Sequence, residues 1–135
     1  MIWTKGNWNY EKWPNFSFDE MACSHCGRNE MDLLFMSTLQ RIRRAAGALT
    51  VSSGFRCHEH EVEEIKDKPG AHTFGKAVDL AVRGAKARTV VQVALDLGMT
   101  GLGVSQKGDS RFIHLDMMTD ADDGGRFPRP TIWSY

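Results

Sequence analysis

Phe112-Ile-His-Leu-Asp-Met117 is the stretch that decides the fold. Successive side chains of a strand point to opposite faces. Ile113, Leu115 and Met117 therefore share one face, and Phe112, His114 and Asp116 share the other. Leu102 to Ser105 precedes this strand across Gln106-Lys-Gly-Asp109, and the two read as a β-hairpin. Ala77-Val-Asp-Leu-Ala-Val82 repeats the alternation, with Val78, Leu80 and Val82 opposite Ala77, Asp79 and Ala81. Leu49-Thr-Val-Ser-Ser53 is a further β-branched strand, ended by Gly54-Phe-Arg-Cys57.

Two helical patterns flank these strands. Over residues 31–46, Leu34, Phe35, Leu39, Ile42 and Ala46 recur at helical spacing, while Gln40, Arg41, Arg43 and Arg44 face out. Asp32 stands near the start, where the helix dipole favours an acid, and Gly47 is the stop signal. Residues 85–97 form the second helix, apolar at Val90, Val91, Ala94 and Leu95, with Gly98 closing it. Ser17-Phe-Asp-Glu20 fits a capping box that opens a short helical turn. Residues 58–70 read as a polar loop. Residues 1–16, with Trp3, Trp8, Tyr10, Trp13 and Phe16, read as an extended aromatic arm packed on the body. Residues 118–135 read as a tail that docks through Trp133 and Tyr135. The order predicts an α+β fold, a small and mainly antiparallel sheet with helices packed on one face. Residues 1–135 form one domain in this reading, and a monomer is expected.

Composition narrows the function classes. Seventeen Lys and Arg balance seventeen Asp and Glu, with no run of like charge, which argues against a partner held by phosphate neutralisation. No apolar run is long enough to insert in a membrane. The N-terminus lacks a basic segment followed by an apolar core, so no signal peptide is read. Three cysteines, Cys23, Cys26 and Cys57, are an odd count, and cytosolic synthesis is the simpler reading than a disulfide framework.

The chemistry lies in Gly70-Ala-His-Thr-Phe-Gly-Lys-Ala-Val-Asp79 and in the strand ending at Asp116. They supply His72, Asp79 and His114. Two imidazoles and a carboxylate are the ligand type of a catalytic zinc with one position open for water. Gly70 and Gly75 bracket His72 and let the backbone bend tightly there. Asp116 lies on the same strand face as His114, roughly 6.5 Å along it. Such an Asp serves either as general base or as the partner that orients a ligand histidine. If each residue acts alone, His72 caps a turn, Asp79 pairs with a basic group and His114 is a satisfied sheet histidine. Cys23-x-x-Cys26 has metal or redox spacing, and Cys57, His58 and His60 are able to complete a second, structural zinc site. Free thiols or a single cysteine pair are the alternatives.

Ser53-Gly-Phe-Arg56, His72-x-x-Gly75-x-Ala77-x-Asp79 and Phe112-x-His114-x-Asp116 together resemble the zinc D-Ala-D-Ala carboxypeptidase family, which includes bacterial cell-wall peptidases and bacteriophage endolysins. The resemblance runs from about Phe16 to Met117. It implies a fold similar to the carboxypeptidase and hedgehog-type zinc domains, with Zn²⁺ held by His72, Asp79 and His114. It also implies a substrate-binding or oxyanion-stabilising role for Arg56, which suits a guanidinium's paired donors. The implied function is hydrolysis of peptide bonds in peptidoglycan stem peptides, as a carboxypeptidase or an endopeptidase, at the bacterial wall and of phage type. The chain departs from the pattern at Gly70, where many members carry Ser. It departs again at Arg111, where several members place the catalytic acid. A branch of the family reads His-x-Asp, which makes Asp116 the candidate base and Asp109 the fallback. The alternative function is a zinc-binding wall or protein-interaction module without turnover.

Overall fold

The computed structural model describes residues 1–135 and has the expected α+β architecture. Strands β1 (Val51–Ser53), β2 (Ala77–Leu80), β3 (Gly101–Ser105), β4 (Phe112–Asp116) and β5 (Thr131–Ser134) form one sheet in the order β1-β2-β4-β3-β5. All neighbours are antiparallel except β3 and β5, which run parallel. Helices α2 (Leu33–Ala46) and α4 (Gly84–Asp96) pack against each other, and α4 also packs against β4. Between them and the sheet lies the main core, including Phe35, Leu39, Ile42, Leu80, Val90, Ile113 and Leu115. The apolar faces read from alternation in β2 and β4 are the faces that meet this core.

Local chemistry accounts for the helix ends. Ser17 Oγ accepts from Glu20 N–H at 3.1 Å and Glu20 Oε1 accepts from Ser17 N–H at 2.7 Å, the reciprocal box that opens α1 (Phe18–Met21). Asp32 is the cap of α2 rather than part of it, accepting from Phe35 N–H at 2.9 Å. The buried face of α2 is also rotated from the expected one. Leu34 is exposed and Gln40 is fully buried. Gln40 turns inward because the N-terminal segment covers it: its amide donates to Asn15 Oδ1 at 2.6 Å and its carbonyl accepts from Asn15 N–H at 3.2 Å. Leu95 of α4 is likewise exposed.

Residues 1–16 are wound into turns rather than extended, because Trp3, Trp8 and Trp13 collapse on one another. Their rings meet edge to face at centroid distances of 5.4–5.5 Å, and all three are buried. Within residues 58–70 the chain forms a short helix, α3 (Glu61–Glu64), and a 3₁₀ turn follows at Ala71–Phe74. The tail contributes β5, an edge strand that sequence alternation did not reveal.

Candidate metal centre

Register brings the chemistry together. In the β2–β4 pair Asp79 stands opposite His114 and Ala77 opposite Asp116. Opposed side chains on one face of an antiparallel pair have Cβ atoms about 5 Å apart, within ligating reach of a shared point. His72 arrives from the 3₁₀ turn that leads into β2. That turn ends at Gly75, whose φ of +70° suits glycine. A side chain at Gly75 would also collide with the Glu30 carbonyl, so the position is closed to larger residues.

The donor atoms of His72, Asp79 and His114 lie within 4.8 Å of one another. Asp79 Oδ1 is 3.3 Å from His72 Nε2 and 3.0 Å from His114 Nδ1. The other nitrogen of each ring is already committed. His72 Nδ1 lies 2.8 Å from the Gly54 carbonyl, which can only accept, so Nδ1 carries the proton and Nε2 offers its lone pair. His114 Nε2 lies 2.7 Å from Asp116 Oδ2, a carboxylate oxygen, so in the neutral ring Nδ1 offers the lone pair. With both rings neutral, two imidazole lone pairs face one carboxylate oxygen in a largely buried site. Without a metal ion a proton on His114 relieves the repulsion: burial would lower that imidazole, but its contacts with Asp116 and Asp79 outweigh burial and hold it above its ordinary value. With a metal ion the site has the ligands and the outer hydrogen bonds that zinc requires. The residues present fit the metal.

Electrostatics push the two imidazoles in opposite directions. Burial holds the His72 imidazole below its ordinary value, which keeps it neutral and ligand-ready. Burial alone would raise Asp79, but its contacts with His114 and His72 outweigh it and hold the carboxyl far below the usual range. Burial acts the same way on Asp116, and the His114 and Arg129 contacts bring it down to about 2.

Asp116 is wholly buried, and four hydrogen bonds saturate it. Oδ1 accepts from Met118 N–H at 3.2 Å and Arg129 Nε at 2.9 Å. Oδ2 accepts from His114 Nε2 and from Arg129 Nη2 at 2.8 Å. Arg56 is anchored by Ser53 Oγ at 2.9 Å, Glu63 Oε2 at 3.2 Å and Asp79 Oδ2 at 3.3 Å. A guanidinium has five N–H donors, so one on each terminal nitrogen stays free.

A cavity of about 410 Å³ opens over these groups, walled by Phe112, Phe127, Trp133 and Tyr135 and edged by Arg56, Lys66 and Arg129. Asp79 is the one carboxylate among its lining residues. Asp109 is an exposed turn residue, and Arg111 lines a different hollow on the α4 side, donating to the Gly108 carbonyl at 2.9 Å. Arg129, Glu63 and Phe127 escaped sequence reasoning; an arginine between two prolines carries no periodic signal. Trp133, expected only to dock the tail, lays its ring against His114 at a centroid distance of 5.2 Å. The Sγ atoms of Cys23, Cys26 and Cys57 also converge, within 4.8 Å, while His58 is exposed and lines a separate hollow with Glu63 and Lys66.

A comparison with protein-family sequence models matches residues 14–116 to the family described as Peptidase M15. Among curated proteins none matches the chain.

Proposed function

The chain belongs to the Peptidase M15 family, and from that premise we propose that it is a zinc metallopeptidase that hydrolyses peptide bonds in peptidoglycan stem peptides at the bacterial wall. The single observation that carries the metal reading is the convergence of one donor atom each from His72, Asp79 and His114 within 4.8 Å, with the second nitrogen of each ring tied off. His72 Nε2, Asp79 Oδ1 and His114 Nδ1 are the proposed ligand atoms. Bound there, zinc would supply Lewis acidity and a water that ionises near neutral pH.

The chain's own residues take distinct parts. Arg56 directs its two free N–H groups at the carboxylate of a peptide end or at the oxyanion that develops on the scissile carbonyl. Its contact with Asp79 Oδ2 leaves Oδ1 for the metal. Phe127, Trp133 and Tyr135 form an apolar wall that excludes water around the reacting atoms. Asp116 holds the tautomer and orientation of His114. Its saturation and burial favour that positioning role over proton transfer.

One observation favours a second reading, a zinc-binding module without turnover: no carboxylate beyond Asp79 lines the cavity, so a general base is not evident in it. Mass spectrometry of purified peptidoglycan fragments, with and without a zinc chelator, separates the two. Chelator-sensitive release of a peptide or amino acid is the expected result, and its mass identifies the bond. Intact fragments across several wall chemistries, incubated with zinc-loaded protein, would replace the enzyme by the module.

A further inference from the structure

We propose that Cys23, Cys26 and Cys57 form a second, structural zinc site that staples the loop at 23–28 to the segment carrying Gly54 and Arg56. The three sulfurs come from two separate stretches of chain, yet they lie within 4.8 Å of one another and no disulfide joins them. A tetrahedral zinc with Zn–S near 2.3 Å sets its sulfurs about 3.8 Å apart, so the cluster needs only a small contraction. Cys23 and Cys57 are buried and Cys26 is exposed, so the cluster is closed on the protein side and open to solvent on the other.

The backbone favours thiolate at Cys23, whereas burial pushes the Cys57 thiol up to about 12, so its proton leaves only as metal binds. His25 N–H and Cys57 N–H donate to Cys23 Sγ at 3.4 and 3.3 Å. Donors directed at sulfur stabilise its anionic, metal-binding form. The loop is held shut by Cys23 N–H to the Arg28 carbonyl at 2.7 Å and by Gly27 N–H to the Cys23 carbonyl at 2.8 Å, with Gly27 at φ +78°. This spaces Cys23 and Cys26 on one side of a tight turn, as a pair of ligands requires. The fourth position faces the open side. His60 is engaged at both ring nitrogens, accepting from Val62 N–H at 3.1 Å and lying 3.0 Å from Ser24 Oγ, so a water or the nearby His25 imidazole completes the tetrahedron.

The staple has a structural consequence. Phe55 N–H donates to the Met21 carbonyl at 2.9 Å, and a side chain at Gly54 would meet that carbonyl at 2.7 Å, so the two segments are in backbone contact. The Gly54 carbonyl in turn fixes His72 Nδ1, and Arg56 follows two residues later. Metal at the cysteines thus braces groups that face the cavity from behind.

The test counts zinc in the full chain, purified with reductant, by plasma mass spectrometry. Cys26→Ser, an exposed position, and Cys57→Ser are each expected to carry one zinc per chain fewer than the parent, whatever the parent holds elsewhere. Equal zinc in parent and variants would overturn the site. The parent itself gives a readout that needs no substitution. Loaded with Co²⁺, it is expected to show a sulfur-to-cobalt charge-transfer band, and loaded with Zn²⁺ its three thiols should resist a thiol reagent until a chelator is added. No such band, thiols that react freely in the zinc-loaded chain, or a Cys23–Cys26 disulfide in the purified protein would each overturn it.

Discussion

Asp116 separates two chemical roles that the motif alone leaves open. As the orienting partner of His114 it acts on metal affinity. As a proton acceptor it would act on turnover with the metal still bound. Asp116→Asn is expected to weaken zinc binding by about 10–100-fold, the usual cost of losing such a partner. Competition against a chromophoric chelator reads the affinity. Unchanged affinity with abolished hydrolysis would return Asp116 to the base role. Arg56 gives the complementary case. Arg56→Lys keeps a charge beside Asp79 but loses the fork that binds Ser53 and Glu63 and that, in the proposed function, presents two further donors to substrate. Its expected signature is reduced peptide hydrolysis with zinc content retained, checked by rate measurements on metal-counted protein. His72, Asp79 and His114 were legible in the sequence because strand alternation and a glycine-bracketed turn set them on one side. Arg129 was not, because its importance exists only once the tail folds back and its guanidinium meets Asp116.

At the scale of elements, the hairpin of β3 and β4 sets how much room the site has. Gly101 and Gly103 of β3 stand opposite Asp116 and His114. A Cβ at Gly101 would collide with the Asp116 carboxylate, and one at Gly103 would come within 2.8 Å of Trp133 Nε1. Gly101→Ala is therefore expected to cost about 1–3 kcal/mol, the range for overpacking a closed interior. Thermal unfolding would show the loss, and weaker zinc binding would accompany it because the displaced group is the support of His114. The strands β2 and β4 were readable because their apolar side chains alternate toward the core, and β3 because it precedes β4 by one short turn. β5 was not, since three of its four residues are exposed and its parallel pairing with β3 joins distant parts of the chain. The helix α3 is a single turn, too short for a 3.6-residue period to register.

Across the whole molecule, the 3₁₀ turn bearing His72, the helix α3 and the loop bearing Arg56 are tied by one buried carboxylate, that of Glu63. It accepts from Gly70 N–H at 2.8 Å and pairs with Lys66 at 3.0 Å and Arg56 at 3.2 Å. Its role came from no motif; it became visible only when three segments met. Burial alone would raise its pKa, but the Gly70 N–H, Lys66 and Arg56 outweigh that and hold it below the ordinary glutamate value. The folded state therefore binds this proton less readily than the unfolded chain does. The stabilisation is complete above the unfolded value, about 4.3, and is lost as pH falls through the lower folded value. Glu63→Gln keeps the shape and removes the charge. It is expected to lower stability at neutral pH, where Arg56 and Lys66 lose their counter-charge, and to flatten the fall in stability below pH of about 4.3. Denaturant unfolding of both proteins across acid and neutral pH, with zinc fixed, checks it. Parallel curves would mean that ionisation of the carboxylate is not linked to folding. Convergence of the two curves at low pH is the outcome that the geometry of Glu63 requires.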